Sequence, residues 1–195
     1  RQLVFAADRS PHELAELGPE LVHRLKGGMA CRLDPPDRPT RLPVDRAFHL
    51  KGRGVIATGT LVSGRIAAGD TLEALPGGGT ARVRSVQVHG GDREVAEAGE
   101  RTALQLSGLE LADLERGTQL VTPGAIAPST RLAAELHLLP GAPDALGGST
   151  EVRVHHYSAE VLGRLKPLGV PAVERGERAQ VELRLSRPIA AVRGD

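Results

Sequence analysis

The chain has 195 residues, and its 25 Lys and Arg against 24 Asp and Glu give a formal net charge of +1. The near-neutral charge argues against a protein whose whole surface binds nucleic acid. The chain has one Tyr, two Phe and no Trp, which argues against recognition of single strands by stacking of bases on aromatic side chains. The single Cys31 excludes an internal disulfide and a Cys-based zinc site, and no apolar run reaches the roughly 18 residues of a membrane span. We therefore expect a reduced, cytoplasmic protein without a membrane partner.

The first 40 residues are predicted to contain a short strand, a helical segment and a linker. Residues 3–7 are mostly apolar and predict the strand, and residues 10–13 (SPHE) are typical of a helix start with a serine N-cap. Leucines then follow at helical spacing up to Gly27-Gly28, with a kink expected at Gly18-Pro19. Residues 34–40 are rich in proline and predict a non-helical linker.

From residue 41 onward, apolar and polar residues alternate with the period of a β-strand. The clearest runs are 101–106, 132–138 and 179–185, and a one-residue slip at Ser85-Val86 predicts a β-bulge. Turn residues separate these runs and no long amphipathic helix intervenes, so the pattern favours antiparallel barrels or sandwiches. The segment 123–128 (PGAIAP) predicts a boundary between two β units.

No motif in the sequence indicates an active site. Residues 52–57 (GRGVIA) match a dinucleotide-binding fingerprint, but β-branched residues and a further glycine follow, so we predict a strand and reject cofactor binding. There is no P-loop and no nucleophile elbow. His155 and His156 are adjacent, so on a strand they point to opposite faces and do not grip one metal ion. We predict no catalytic residue and no metal site in this chain.

Asp45 and Arg46 lie on the first predicted strand after the linker. The two faces of a strand would separate these side chains, so the two residues need not serve one site. From the charges alone, a surface ion pair of little energetic value is the favoured interpretation.

Three motifs in the β region resemble the second domain of translational GTPases of the EF-Tu class. They are residues 41–48 (RLPVDRAF), 51–60 (KGRGVIATGT) and 63–70 (SGRIAAGD). The pattern continues in order through residues 82–89, 98–104 and 116–117, and the third domain of the same class is similar to residues 154–156, 159–161 and 188–195. The resemblance runs from residue 41 to 195, and its details fit the selenocysteine-specific branch, SelB, best. It implies a mainly β chain with two consecutive antiparallel β-barrels preceded by a short helical segment.

The resemblance also implies a division of the chain into three parts. Residues 1–40 would be the C-terminal end of a GTPase domain plus the Pro-rich linker, 41–126 a barrel like domain II, and 127–195 a barrel like domain III. Whether the second barrel is complete stays open. The rest of the GTPase domain, with GTP and Mg²⁺, would lie outside this chain, so the chain itself would hold no cofactor and would not be an enzyme.

The function implied is the binding of selenocysteinyl-tRNA for GTP-dependent delivery to the ribosome. The residues that match the family's aminoacyl pocket are Asp45, Arg46 and Arg101. A selenol is acidic enough to be an anion at neutral pH, and a guanidinium is always charged and forms strong charge-assisted hydrogen bonds. Seryl-tRNA would offer only a neutral hydroxyl and leave those charges poorly compensated. For Arg46 and Arg101 this pocket replaces the surface ion pair as the favoured interpretation, while Asp45 could serve only to orient a neighbour.

The resemblance implies several partners besides the tRNA. They are the ribosome, the chain's own GTPase domain, and an mRNA hairpin that would be read only by a C-terminal region outside this chain. Arg153, His155 and His156 are candidates for contacts to the tRNA backbone, although solvated strand residues would give the same pattern. Two alternatives stay open: the barrels of another EF-Tu-class GTPase, and a scaffold barrel that contacts only its own GTPase domain.

Overall fold

Strands dominate the part of the chain that the computed structural model describes, which is residues 39–195. One short 3₁₀ turn, Leu111–Asp113, is the single helical element within that range. Among these residues no helix has the length and apolar character needed to cross a bilayer. The predicted mainly β character is confirmed. The predicted helical segment, the strand before it and most of the Pro-rich linker lie outside the described residues.

Six of the first nine strands in the described range form a closed ring, here called the barrel. The nine are β1 (Arg41–Leu50), β2 (Gly54–Thr60), β3 (Arg65–Ala67), β4 (Thr71–Leu75), β5 (Thr80–Val88), β6 (Gly91–Arg93), β7 (Val95–Glu97), β8 (Arg101–Ser107) and β9 (Gln119–Val121). Six of them pair antiparallel in the order β4-β9-β1-β2-β8-β5, and the pairing of β4 with β5 closes the ring. β6 adds to β5, and β3 pairs with β7. The first predicted barrel is therefore confirmed.

One face of each barrel strand supplies an apolar core. In β8, Thr102, Leu104 and Leu106 are buried, while Arg101 on the opposite face is exposed. Leu104 and the core residues that it joins have no solvent-accessible surface or almost none. Burial of one such leucine contributes about 1.5–3 kcal/mol, so the core fixes which face of each strand points outward. The outward faces of β1, β2 and β8 carry the polar side chains of the site described below.

The slip of alternation predicted in β5 is present as a register shift. Against β8, the shift falls between Val83 and Ser85, within two residues of the position that the sequence indicated. Residues 51–53 form the turn between β1 and β2, and the strand predicted for the glycine-rich motif begins at Gly54. Positive φ angles of 82° at Gly52 and 80° at Gly54 explain the two glycines, because other residues adopt this conformation at a cost.

The C-terminal part of the chain forms an antiparallel sheet of four strands. Its strands, with two short ones, are β10 (Ser129–His137), β11 (Leu146–Gly147), β12 (Thr150–His156), β13 (Ala159–Pro167), β14 (Ala172–Val173) and β15 (Arg178–Ile189). The order in the sheet is β10-β15-β13-β12, and β11 pairs separately with β14. Within residues 39–195, β10 and β12 are the outer strands and do not pair with each other. A closed second barrel and the exact domain limits stay predictions.

Candidate functional site

A β-bulge in β1 places Asp45 at the centre of the site. Val44 lies opposite Gly59 in β2, and Arg46 lies opposite the preceding residue, Thr58, so Asp45 is the extra residue of the bulge. A bulge interrupts the two-residue alternation and redirects the side chains beside it. Asp45 and Arg46 are accordingly both exposed. The expectation that opposite strand faces would separate them assumed a regular strand, and the register shift shows that the strand is irregular at this position.

Gly59 is required where β1 and β2 approach each other at the bulge. A Cβ atom on Gly59 would collide with the carbonyl oxygen of Pro43 and approach Leu42 Cδ2 to 2.9 Å. The first of these contacts is to backbone, which cannot rotate away as a side-chain end can. The absence of a side chain at this position thus permits the strand pairing that carries the bulge.

Asp45 binds Arg101 from the neighbouring part of the barrel surface. Arg101 Nη1 donates a hydrogen bond to Asp45 Oδ2 within an ion pair, and the same nitrogen lies 3.5 Å from Thr60 Oγ1. Thr58 Oγ1 donates to the other carboxylate oxygen, Asp45 Oδ1, at 2.9 Å. The side chains of Arg101 and Asp45 are 57% and 37% exposed, so a ligand can reach both. Two of the three predicted pocket residues are therefore in direct contact.

The electrostatics of the cluster keep Asp45 ionised. Partial burial by itself would raise the pKa of Asp45, but hydrogen bonds from Arg101 and Thr58 and the positive charges of Arg101 and Arg46 outweigh it. The pKa of this carboxyl therefore lies below its ordinary value. Arg46 contributes to this lowering through its charge.

A shallow groove formed by β1, β2, β5 and β8 is a feature that the sequence did not predict. It is lined by apolar Phe48, Leu50 and Ile56 and by the polar Gln105, among others. Gln105 Nε2 donates to the carbonyl oxygen of Arg53 at 2.7 Å, which fixes the amide at the groove wall. Phe48 and Leu50 are 38% and 42% exposed, so both present apolar surface in the groove.

The residues predicted to contact a tRNA backbone lie on β12 in two different surroundings. Arg153 is exposed and forms an ion pair of 3.1 Å with Glu160, and exposed His155 Nδ1 lies 3.9 Å from the same carboxylate. His156, on the other face, is only 12% exposed, and its Nε2 lies 2.9 Å from Asp195 Oδ2. Their role in tRNA binding stays a prediction.

Asp195 is a second polar centre, which the sequence gave no reason to single out. Its carboxylate accepts hydrogen bonds from Arg41 of β1, from His156, from Tyr157 Oη at 2.9 Å and from the backbone N–H of Val192. Burial would raise the pKa of Asp195, but these hydrogen bonds outweigh that effect and lower it below its ordinary value. The cluster joins the barrel to the C-terminal sheet.

Within the described range, residues 39–195, no group of three or more His, Cys, Asp or Glu side chains is arranged to ligate a metal ion. The Asp45 cluster instead presents an exposed guanidinium, that of Arg101, paired with a carboxylate. A guanidinium donates several hydrogen bonds in a fixed plane and keeps its charge at every physiological pH.

Comparison with known proteins matches this barrel to one family. The family described as Elongation factor Tu domain 2 matches residues 54–121, which run from the start of β2 to the end of β9. Residues 54–121 belong to the Elongation factor Tu domain 2 family. The chain is also similar to the selenocysteine-specific elongation factor of Desulfomicrobium baculatum, with 45% identity over 163 residues. That match covers 82% of this chain and 26% of the relative, so the chain spans about a quarter of that protein's length. The resemblance to selenocysteine-specific factors is confirmed.

Proposed function

We propose that this domain 2 barrel belongs to a selenocysteine-specific elongation factor and binds the aminoacyl group of selenocysteinyl-tRNA. The observation that carries the proposal is the position of Arg101, whose guanidinium is exposed on the outer face of β8 beside Asp45 and close to Arg46. The 45% identity to a selenocysteine-specific factor supports the choice of branch. Delivery of the tRNA to the ribosome, and the GTP and Mg²⁺ that drive it, would require a GTPase domain beyond the described residues.

The charge of the amino acid is the basis of selection in this proposal. A hydrogen bond to a charged group contributes about 1.5–3 kcal/mol net, so the serine hydroxyl also gains from the charge of Arg101. A selenolate adds the attraction of opposite charges, which at about 4 Å is about 1 kcal/mol in bulk water and more near a protein surface, and roughly 1–1.5 kcal/mol is about tenfold in affinity. Arg46, the next residue after Asp45 in β1, supplies a second positive charge that would add to this preference.

The C-terminal sheet would supply contacts that do not depend on the amino acid. Exposed Arg153 and His155 lie on β12 and could bind phosphate oxygens of the tRNA, which position the ligand without discriminating between aminoacyl groups. His156 would act through the Asp195 cluster, because it is largely buried there. In this proposal residues 127–195 correspond to the third domain of the family, and residues 41–126 to the second.

The test compares two tRNA ligands that differ in one atom. Selenocysteinyl-tRNA, kept reduced, and seryl-tRNA are titrated against the full-length protein by fluorescence at several salt concentrations. We expect both affinities to fall steeply with salt, and Arg101→Ala to weaken selenocysteinyl-tRNA about tenfold and seryl-tRNA less than about threefold. Arg93 is an exposed arginine of β6, and Arg93→Ala is the matched control. It should leave the ratio of the two affinities unchanged.

The outcomes distinguish the proposal from its two alternatives. Tight binding of both ligands without discrimination would assign the barrel to another EF-Tu-class factor. Absence of binding, or binding that does not depend on salt, would favour a scaffold that contacts only its own GTPase domain. Equal losses for both ligands in Arg101→Ala would remove Arg101 from the selective site.

A further inference from the structure

Arg101 is already paired with a carboxylate of its own chain. Its Nη1 donates to Asp45 Oδ2, with Thr60 Oγ1 3.5 Å from the same nitrogen. Any ligand group that uses this guanidinium therefore shares it with Asp45 or displaces Asp45. The pair is about half exposed, and exposed ion pairs contribute little free energy, so an incoming anion can displace the carboxylate at small cost.

Asp45 is held from its far side by a residue that the sequence did not single out. Thr58 Oγ1 donates to Asp45 Oδ1 at 2.9 Å, and the same hydroxyl lies 3.2 Å from the carbonyl oxygen of Arg46. One side chain therefore contacts both residues of the bulge. Thr58 binds Oδ1, and the other oxygen, Oδ2, accepts the hydrogen bond from Arg101. Thr58 therefore holds the carboxylate in position to pair with the guanidinium when no ligand is bound.

We propose that Asp45, positioned by Thr58, is an internal competitor for Arg101 that restricts the site to anionic ligand groups. This inference rests on the proposed function and adds the means by which neutral groups are rejected. A neutral hydroxyl offers Arg101 a weaker hydrogen bond than the carboxylate that it would have to replace. It also leaves the displaced carboxylate without its partner, and that cost increases once a bound ligand excludes water from the pair. An anion replaces one charged acceptor of Arg101 with another, so the hydrogen bond to the guanidinium is not weakened.

The competitor role and a simple orienting role of Asp45 predict opposite results for one substitution. Asp45→Asn keeps the size of the side chain and removes its charge. If Asp45 competes for Arg101 and thereby excludes neutral groups, seryl-tRNA should bind about threefold to tenfold more tightly and selenocysteinyl-tRNA should gain less, so that the preference for selenocysteinyl-tRNA falls. If Asp45 merely orients Arg101, seryl-tRNA affinity should stay unchanged and selenocysteinyl-tRNA should bind more weakly. This last result, or a gain for selenocysteinyl-tRNA as large as that for seryl-tRNA, would overturn the inference.

The role of Thr58 is tested without any tRNA. The pKa of the Asp45 carboxyl is measured by NMR in the full-length protein, in Thr58→Val, and in Thr58→Ser, which retains the hydroxyl. We expect Thr58→Val to raise the pKa, because the carboxylate loses a hydrogen bond, and Thr58→Ser to restore it. Thr71→Val, an exposed threonine of β4, serves as the control for the loss of a hydroxyl elsewhere in the barrel. An unchanged pKa in Thr58→Val would show that Thr58 does not hold Asp45.

The two levels of the proposal fail in different ways. If the unsubstituted protein does not discriminate between the two tRNAs, the proposed function fails and the inference fails with it. If it does discriminate, and Asp45→Asn leaves seryl-tRNA affinity unchanged, only the competitor role fails. Thermal unfolding of each variant, monitored by circular dichroism, confirms that the compared proteins are folded.

Discussion

The guanidinium of Arg41 in β1 forms a bidentate ion pair with the carboxylate of Asp195, 154 positions later in the chain. The two hydrogen bonds measure 2.7 and 2.8 Å, and the side chains are only 7% and 11% exposed. Tyr157 lies against the same guanidinium, with its ring centroid 5.3 Å from Arg41 Cζ. Because the carboxylate also binds His156, Asp195 links the first barrel strand to the end of β12.

Removal of the Asp195 charge should destabilise the protein strongly. Asp195→Asn leaves the Arg41 charge buried without a compensating anion, which typically costs about 3–5 kcal/mol. Urea unfolding measures the loss. Asp144→Asn is the matched control: its side chain is 92% exposed and 4.0 Å from its nearest cation, so its cost should be below about 0.5 kcal/mol. Equal stabilities for the two variants would show that the buried pair does not hold the two parts together.

The carboxylate of Asp195 should make the free energy of unfolding depend on pH in the acidic range. The pKa of Asp195 is lower in the folded chain than the ordinary value of about 3.9, so the unfolded state binds more protons in acid. Its stabilising contribution is complete above about pH 5 and declines as the pH falls through 3.9 towards the lowered folded pKa. We expect the free energy of unfolding to fall less steeply with acid in Asp195→Asn than in the unsubstituted protein, as measured by urea unfolding at pH values from about 6 to 3. Parallel pH profiles would contradict the assignment.

Substitution of Gly59 should affect both the barrel and the site. Gly59→Ala places a Cβ against the carbonyl oxygen of Pro43, which forces β1 and β2 apart at a cost of about 1–3 kcal/mol. Because Asp45 lies in the bulge next to this contact, the NMR signal of its carboxyl should shift as well. Gly77→Ala is the control, since a Cβ there meets nothing within 4 Å, and its stability should be unchanged or slightly higher. A Gly59→Ala protein as stable as this control would show that the close approach is not required.

The sequence predicted much of the barrel because alternation reports directly on which face of a strand is buried. The strand β8 and the bulge in β5 were both visible in that pattern. The same rule did not reveal the bulge in β1, since two adjacent polar residues, Asp45 and Arg46, do not show which of them is the extra one. A closed second barrel stays a prediction, since residues 129–189 form a four-stranded sheet in which β10 and β12 do not pair with each other.

The candidate site was reached partly by motif and partly by geometry. Asp45, Arg46 and Arg101 came from the resemblance of short motifs, and no spacing rule would have linked residues 56 positions apart. Thr58 was missed because a threonine in a strand has an ordinary role as a β-branched residue. A register that placed Thr58 opposite Arg46 was the signal that could have found it, and this register depends on the bulge.

By itself, the sequence determined the strand period, the outward or inward face of most strand residues, and the set of charged groups available on the barrel surface. These are local properties, fixed by side-chain chemistry and by a backbone that alternates every two residues. Only the tertiary structure decided that Thr58 holds Asp45 against Arg101 and that Asp195 reaches Arg41. Those contacts depend on strand register, one bulge and the packing of distant segments, and such long-range geometry is settled by the free energy of the whole fold.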